Sequence, residues 1–275
     1  MIEIGISYVE YLNKLKKEEL IKIITDYNKM CEIFDETKIE DTKSKKDVLV
    51  EKINEVKNKY LKYLIMSLDL KDYESLKNIL KKNDTKTLNE HKELINYFID
   101  KHIIFQKDNL EVPNDLEFKC CFKNKDILKY VKKWNRIYDL ANGIIIAYGV
   151  VSKKYFSFII SGIEEKDKII SKLEFYYKKE YIIEDKMIVS NKLSNKKRIN
   201  KYFKDNNYKC FTNKEYVEMG KNIYHHTIKS YKKLIKTLKN FYVFKNKDIK
   251  FIDDNIVIPY LYNSLNEEDI ANKNL

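Results

Sequence analysis

The sequence predicts a mostly α-helical protein, a helical bundle with one small β-hairpin. Three observations predict it. Proline occurs twice and glycine five times in 275 residues, too few breakers for a turn-rich β-sandwich. Long stretches place leucine, isoleucine and valine three and four residues apart among lysines and glutamates, which is the period of an amphipathic helix. Only around residues 102–112 does the pattern change to two short apolar runs flanking a polar turn.

Taken in order, residues 8–29 carry Leu12, Leu15, Leu20, Ile21, Ile23 and Ile24 at helical spacing. A polar stretch at 35–45 follows. A second helix is expected to start near 42–44, where a Thr or Ser hydroxyl can accept from the free N–H groups of the first turn. It runs through Val48, Leu49, Ile53, Val56, Leu61 and Leu64. Residues 72–82 and 87–101 read as two more helices, the latter with Leu88, Leu94, Ile95, Phe98 and Ile99 on its apolar side. Residues 102–106 are β-rich, Lys107, Asp108 and Asn109 supply turn chemistry, and 110–112 returns as a strand. Pro113 ends that strand, because it has no N–H to give to a ladder.

Helix, helix and tight hairpin is the winged-helix order. In DNA-binding versions the second helix enters the major groove. Here that helix sets Glu90, Glu93 and Asp100 against Lys92 and Lys101, so a packing or dimerisation role is an equal expectation. A further helix at 127–140 carries Leu128, Val131, Trp134, Ile137 and Tyr138. It leads into 140–162, the most apolar run of the chain, which holds Gly143, Gly149 and Gly162. Asn142 and Gly143 read as a cap between two segments, Gly149 as a turn residue with positive φ, and Ser152 as the cap of a helix from Lys153. These glycines lack the Lys-Ser/Thr register of a phosphate loop. Three domains are expected: a helical module at 1–68, a winged-helix-like segment at 69–118, and a helical core with a basic C-terminal region at 119–275.

The apolar run is far short of the roughly 20 residues that a membrane span needs, so no membrane partner is expected. The first twenty residues lack the basic-then-apolar order of a secretory leader. Cys31, Cys120, Cys121 and Cys210 show no paired spacing, which points to free thiols and a cytoplasmic location.

The stretch SKKDVLVEKI at 44–53 resembles the helix–extended loop–helix of SAP and Rho-N-terminal modules. In those families a Lys-x-x-Leu-(Val/Ile) start marks the second helix, matched here by Lys46, Asp47, Val48, Leu49 and Val50. The glycines usual between the two helices are absent. The resemblance implies nucleic-acid binding, yet residues 1–100 hold nineteen lysines against twenty carboxylates, so a structural or protein-contact role is expected for this copy. The wider order is similar to a group of helix-rich proteins from low-GC Firmicutes. That implies a bacterial, phage or mobile-element origin and no particular activity.

Positive charge is localised. Residues 186–250 contain seventeen lysines and one arginine against Asp205, Glu215, Glu218 and Asp248, a balance of +14 in a chain whose total is +12. Two clusters stand out: Lys196, Lys197, Arg198, Lys201 and Lys204, then Lys229, Lys232, Lys233, Lys236 and Lys239. In the second, Leu234, Ile235 and Leu238 share one helical face and the lysines take the remaining arc. Tyr202, Phe203, Tyr208, Phe211, Tyr216, Tyr224, Tyr231, Phe241 and Tyr242 are interleaved. Cations that follow a phosphate backbone, with rings on which bases stack, are the pattern of sequence-tolerant nucleic-acid binding. An acidic protein partner, a solvated helix face and a basic helix at a membrane surface are the competing readings.

Catalytic signals are sparse. His225 and His226 are adjacent, and neighbours on an α-helix diverge by about 100°, so the pair is not expected to share one ion. Neither a metal nor a cofactor is expected. Glu184-Asp185-Lys186 is a faint metal-nuclease fragment. The leading expectation is a non-enzymatic nucleic-acid-binding or regulatory protein, with DNA or RNA as partner. An adaptor for an acidic protein comes second and a nuclease third.

Overall fold

The computed structural model describes residues 2–40, 42–82, 85–106, 109–163, 166–175, 181–191, 211–221, 223–243 and 245–257. The protein is mostly α-helical with small β segments, as the breaker-poor sequence requires. Its chain divides into two compact units, Met1–Asn135 with Phe175–Tyr177, and Arg136–Glu174 with Lys178–Leu275.

In the first unit the order is β1 (Ile2–Ile4), α1 (Tyr8–Leu12), α2 (Lys17–Phe34), α3 (Lys46–Met66), α4 (Leu70–Lys82), α5 (Thr85–Glu90), α6 (Lys92–Asp100), β2 (Phe105–Gln106), β3 (Leu110–Val112) and α7 (Phe118–Lys123). The expected helix over 8–29 is two helices. Ser7 caps α1 with its Oγ accepting from the Glu10 N–H at 3.3 Å. The α2 helix ends at Asp35, which takes a left-handed conformation at φ 54°. The helix expected over 87–101 is also interrupted, at His91.

The apolar stripes of these helices meet in one core. Leu12, Leu20, Ile24, Leu49, Ile53, Leu61, Leu64, Leu76 and Phe98 are all buried in it, together with Ile103 and Val131. Segments 1–68 and 69–118 therefore share a hydrophobic interior. Phe34 and Tyr63 stack at 4.3 Å between ring centroids. The polar stretch after α2 is held by Asn28, which donates to the Ile39 carbonyl at 2.9 Å and accepts from the Ile39 N–H at 2.7 Å. Two partly buried ion pairs, Lys57 with Asp115 and Lys101 with Asp26, join distant parts of the chain. The predicted hairpin is present: β2 and β3 pair antiparallel, Phe105 opposite Glu111. The β1 strand adds to it in parallel, Ile2 opposite Leu110.

The α8 helix (Lys125–Tyr148) supplies residues to both units. The second unit continues with β4 (Val150–Ser152), α9 (Lys153–Ile159), α10 (Lys166–Phe175), β5 (Tyr181–Ile183), β6 (Met187–Ser190) and α11 (Asn213–Gly220). A 3-10 turn (Tyr224–Thr227), α12 (Lys229–Phe241), α13 (Asn246–Ile252) and a π turn (Asp253–Val257) complete the described chain. Gly149 has the expected positive φ, 67°, and turns the chain out of α8 into β4. Ser152 caps α9 as expected, accepting from the Tyr155 N–H at 3.1 Å. A second antiparallel sheet, in the order β4-β6-β5, is an addition to the expected hairpin.

Asn142 and Gly143 are not a cap, because α8 runs through them without a break. Gly143 is instead a crossing point: a Cβ there would overlap the backbone carbonyl of Tyr216 in α11. Gly220 at the end of α11 is its counterpart, since a Cβ there would overlap the carbonyl of Asp139 in α8. Backbone thus lies directly on backbone between the two helices. Tyr148 and Tyr216 close the same contact with hydroxyls 2.6 Å apart.

Main-chain atoms cannot swing aside as a side chain does. Gly143→Ala and Gly220→Ala are each expected to destabilise the protein by about 1–3 kcal/mol, the range for overpacking a tight contact. Gly162, with nothing within 4 Å of its added Cβ, is the control. Urea unfolding of the three variants checks this, and equal midpoints would contradict it.

Candidate functional site: a basic helix and the histidine–aspartate cluster at its base

The α11 helix sets the entry to the site. Thr212 and Glu215 form a reciprocal cap, with Glu215 Oε2 accepting from the Thr212 N–H at 2.8 Å and Thr212 Oγ1 accepting from the Glu215 N–H at 3.3 Å. At the other end Lys221 lies 3.7 Å from Asp139, beside the Gly220 crossing. The chain then tightens into the 3-10 turn. The His226 N–H donates to the Ile223 carbonyl at 3.0 Å and the Ile228 N–H to that of His225 at 3.1 Å. From Lys229 the α12 helix begins.

The helix has no buried residue. At about 100° per residue, Lys229, Lys232, Lys233, Lys236 and Lys239 fall within an arc of about 120°. All five are exposed. None of the five pairs with a carboxylate among the described residues. The opposite arc carries Tyr231, Leu234, Ile235, Leu238 and Phe241. Much of that arc is also open, with Leu234 43% and Phe241 77% exposed. The other predicted cluster, Lys196, Lys197, Arg198, Lys201 and Lys204, lies outside the described residues. Of the interleaved aromatics, Tyr216 is core, while Phe241 and Tyr242 are exposed.

Beneath the start of α12 lies a cluster that sequence reasoning missed. His226 Nε2 is 2.8 Å from Asp253 Oδ2, and His225 Nε2 is 3.3 Å from Asp253 Oδ1. Tyr231, from the first turn of α12, donates its hydroxyl to Asp253 Oδ1 at 2.7 Å. The two imidazole rings are 4.3 Å apart between centroids, and Tyr231 stacks on His226 at 5.0 Å. Convergence of the adjacent histidines corrects the expectation that they diverge. A 3-10 turn spreads neighbours by about 120°, so it is not the backbone that joins them; the Asp253 carboxylate does, entering from the π turn with one oxygen toward each ring. A His-His dipeptide was the available signal; its partner, twenty-seven residues from His226, was not visible in the spacing.

Burial holds His225 below its ordinary value of 6.5, against the pull of the neighbouring Asp253 charge. For Asp253 burial alone would raise the carboxyl, but hydrogen bonds from His226 and Tyr231 and the proximity of His225 together bring it below 3.8. Elsewhere, Glu184, Asp185 and Lys186 form an exposed turn between β5 and β6, where the Glu184 N–H donates to the Met187 carbonyl at 2.8 Å. Nothing among the described residues gathers other acidic groups to that triplet as a metal set.

Comparison with protein-family models, with curated proteins and with solved structures finds no match for this chain.

Neutral His225 is the folded form. Its contribution to stability is complete above 6.5 and is lost as the pH falls through that value toward the lower folded one. Asp253 acts in the same direction, present above 3.8 and lost as the pH falls through its depressed folded value. Acidification from neutral pH therefore weakens this corner, first through His225. The His225 Hε1 resonance, followed by NMR, should titrate with a midpoint under 6.5, and a midpoint at or above 6.5 would rule this out.

Proposed function

We propose that this protein binds nucleic acid non-enzymatically, as a regulatory or accessory factor, through the lysine face of α12. The observation that carries the reading is the alignment of five exposed lysines on one arc of a helix with no buried residue. Apart from the adjacent Lys232 and Lys233, successive members of the row are three residues apart, about 4.5 Å along the axis, so several can follow one phosphate backbone together. Lys196, Lys197, Arg198, Lys201 and Lys204 belong to the same reading by their charge. Phe241 and Tyr242, exposed at the end of the helix, offer rings for stacking bases. DNA and RNA are both accommodated, since ammonium groups that contact phosphates carry no sequence information.

Other parts of the chain enter the proposal differently. The Lys-x-x-Leu-Val start of α3 is SAP-like, but Leu49 and Val50 are buried and the first hundred residues are slightly acidic. The α6 helix stands where a winged helix would read a groove, yet its Leu94, Ile95 and Phe98 are core and it carries Glu93 and Asp100. These features favour α12 over α3 and α6 as the phosphate-contacting element of the proposal. Free thiols at Cys31, Cys120 and Cys121 fit a cytoplasmic setting. No helix is long and apolar enough to cross a membrane among the described residues. A second reading, an adaptor for an acidic amphipathic partner, is favoured by the openness of Leu234 and Phe241 on the other arc.

Charge reversal separates the two. With the full chain and labelled single-stranded and duplex probes, binding should weaken steeply between low and high salt. Reversing Lys232, Lys233 and Lys236 to Glu should reduce low-salt affinity by at least about tenfold, and each lost contact should shallow the salt slope by about one. No binding at low salt, or binding indifferent to these changes and to Lys196→Glu, Lys197→Glu and Arg198→Glu, would overturn the proposal.

A further inference from the structure

We propose that His225, His226 and Asp253 form a binding site for a first-row divalent cation of the zinc class. The inference is independent of nucleic-acid binding, because the site lies on the Tyr231 side of α12 while the lysines occupy the opposite arc.

The donor set comes first. Each histidine offers an imidazole nitrogen and Asp253 a carboxylate oxygen, and the three donor atoms lie within 4.8 Å of one another. Two imidazoles and one carboxylate suit zinc, iron or cobalt. Calcium and magnesium take shells of oxygen, which this set does not supply. Donors held tetrahedrally at bond lengths of about 2.0–2.1 Å stand about 3.3 Å from one another. Here His225 Nε2 stands 3.3 Å from Oδ1 and His226 Nε2 2.8 Å from Oδ2, so an ion would draw donors that already lie within 4.8 Å of one another onto one centre.

Burial is the second observation. His225 is 3% exposed, and its Nε2 is shielded from solvent without a hydrogen-bond partner. Asp253 Oδ1 is 3.3 Å away but without the alignment that a hydrogen bond needs. Burying an unbonded polar nitrogen costs free energy, and a cation coordinated there would recover it. The surroundings are also those of a ligand shell. Tyr231 donates to Asp253 Oδ1, so it orients the carboxylate and leaves Oδ2 on the side of His226. The His226 side chain is 44% exposed, which gives an ion a route in. No fourth His, Cys, Asp or Glu joins the group among the described residues, so a further position would fall to water or another small ligand.

A bound ion would fasten three elements to one another: the 3-10 turn through both histidines, the π turn through Asp253, and α12 through Tyr231. It would thereby fix the base of a helix that has no buried residue of its own. The alternative is that Asp253 simply collects hydrogen bonds, and that the cluster needs no ion.

Cobalt(II) distinguishes them, since a low-symmetry nitrogen–oxygen site gives visible ligand-field bands. The full chain, stripped with chelator, should bind one cobalt per chain with such bands, and zinc should displace it. Cys120→Ser should leave the bands unchanged, which separates the site from the exposed thiol. His226→Ala, a change at a half-exposed position whose folding is checked by circular dichroism, should abolish them. Asp253→Asn, which keeps the side-chain shape, should do the same. Tyr231→Phe should keep the stoichiometry and weaken affinity by about 10–100-fold, as loss of an outer-shell partner does. Absence of stoichiometric cobalt binding would overturn the proposal. So would bands that survive both His226→Ala and Asp253→Asn.

Discussion

The second unit depends on one constraint, the contact of bare backbone between α8 and α11. Gly143 meets the Tyr216 carbonyl and Gly220 meets that of Asp139, each glycine serving the partner helix in turn. No other residue has a side chain small enough to allow that approach. Once α11 is seated there, the tyrosine pair Tyr148–Tyr216 and the Lys221–Asp139 pair fall into range. The 3-10 turn leaves α11 within a few residues of this contact, and it carries His225 and His226 to Asp253. The placement of α12 follows from the same geometry, because Tyr231 bonds to the carboxylate that both histidines approach.

The first unit rests on a different kind of force. Its helices are ordinary amphipathic segments whose apolar stripes add up to a continuous interior, from Ile2 to Val131. Such burial is non-directional and tolerant of detail. Specificity there comes from a few polar ties, such as Asn28 bracketing the Ile39 peptide and Lys101 with Asp26. The α12 helix shows the opposite balance. It has the same amphipathic pattern as the helices of the core, but its apolar arc remains open and its lysine arc lacks described carboxylate partners.

Much of the fold was legible because periodicity is a local property. Helix class, the hairpin before Pro113, the turn at Gly149 and the Ser152 cap all depend on residues close together in the chain. Other features fell below what a local pattern can carry. The three-residue strands β1, β4 and β5 are too short to show alternation. The breaks at 13–16 and at His91 left apolar spacing almost undisturbed, so single helices were expected there. Asn142-Gly143 carried a true signal with the wrong cause: a small residue inside an apolar run marks a turn or a close approach equally well. The Thr212-x-x-Glu215 spacing was a readable cap that would have located α11.

By itself, the sequence determined that this is a helical protein with localised positive charge, and that the lysines of 229–239 share one face. Those conclusions need only composition and the 3.6-residue period. Tertiary structure alone decided that Gly143 is a crossing rather than a cap, and that His225 and His226 converge. It decided these things because both depend on a partner brought close by folding, the Tyr216 carbonyl in one case and the Asp253 carboxylate in the other. Periodicity states which way a side chain faces along its own element, but what it meets there is set by the packing of another.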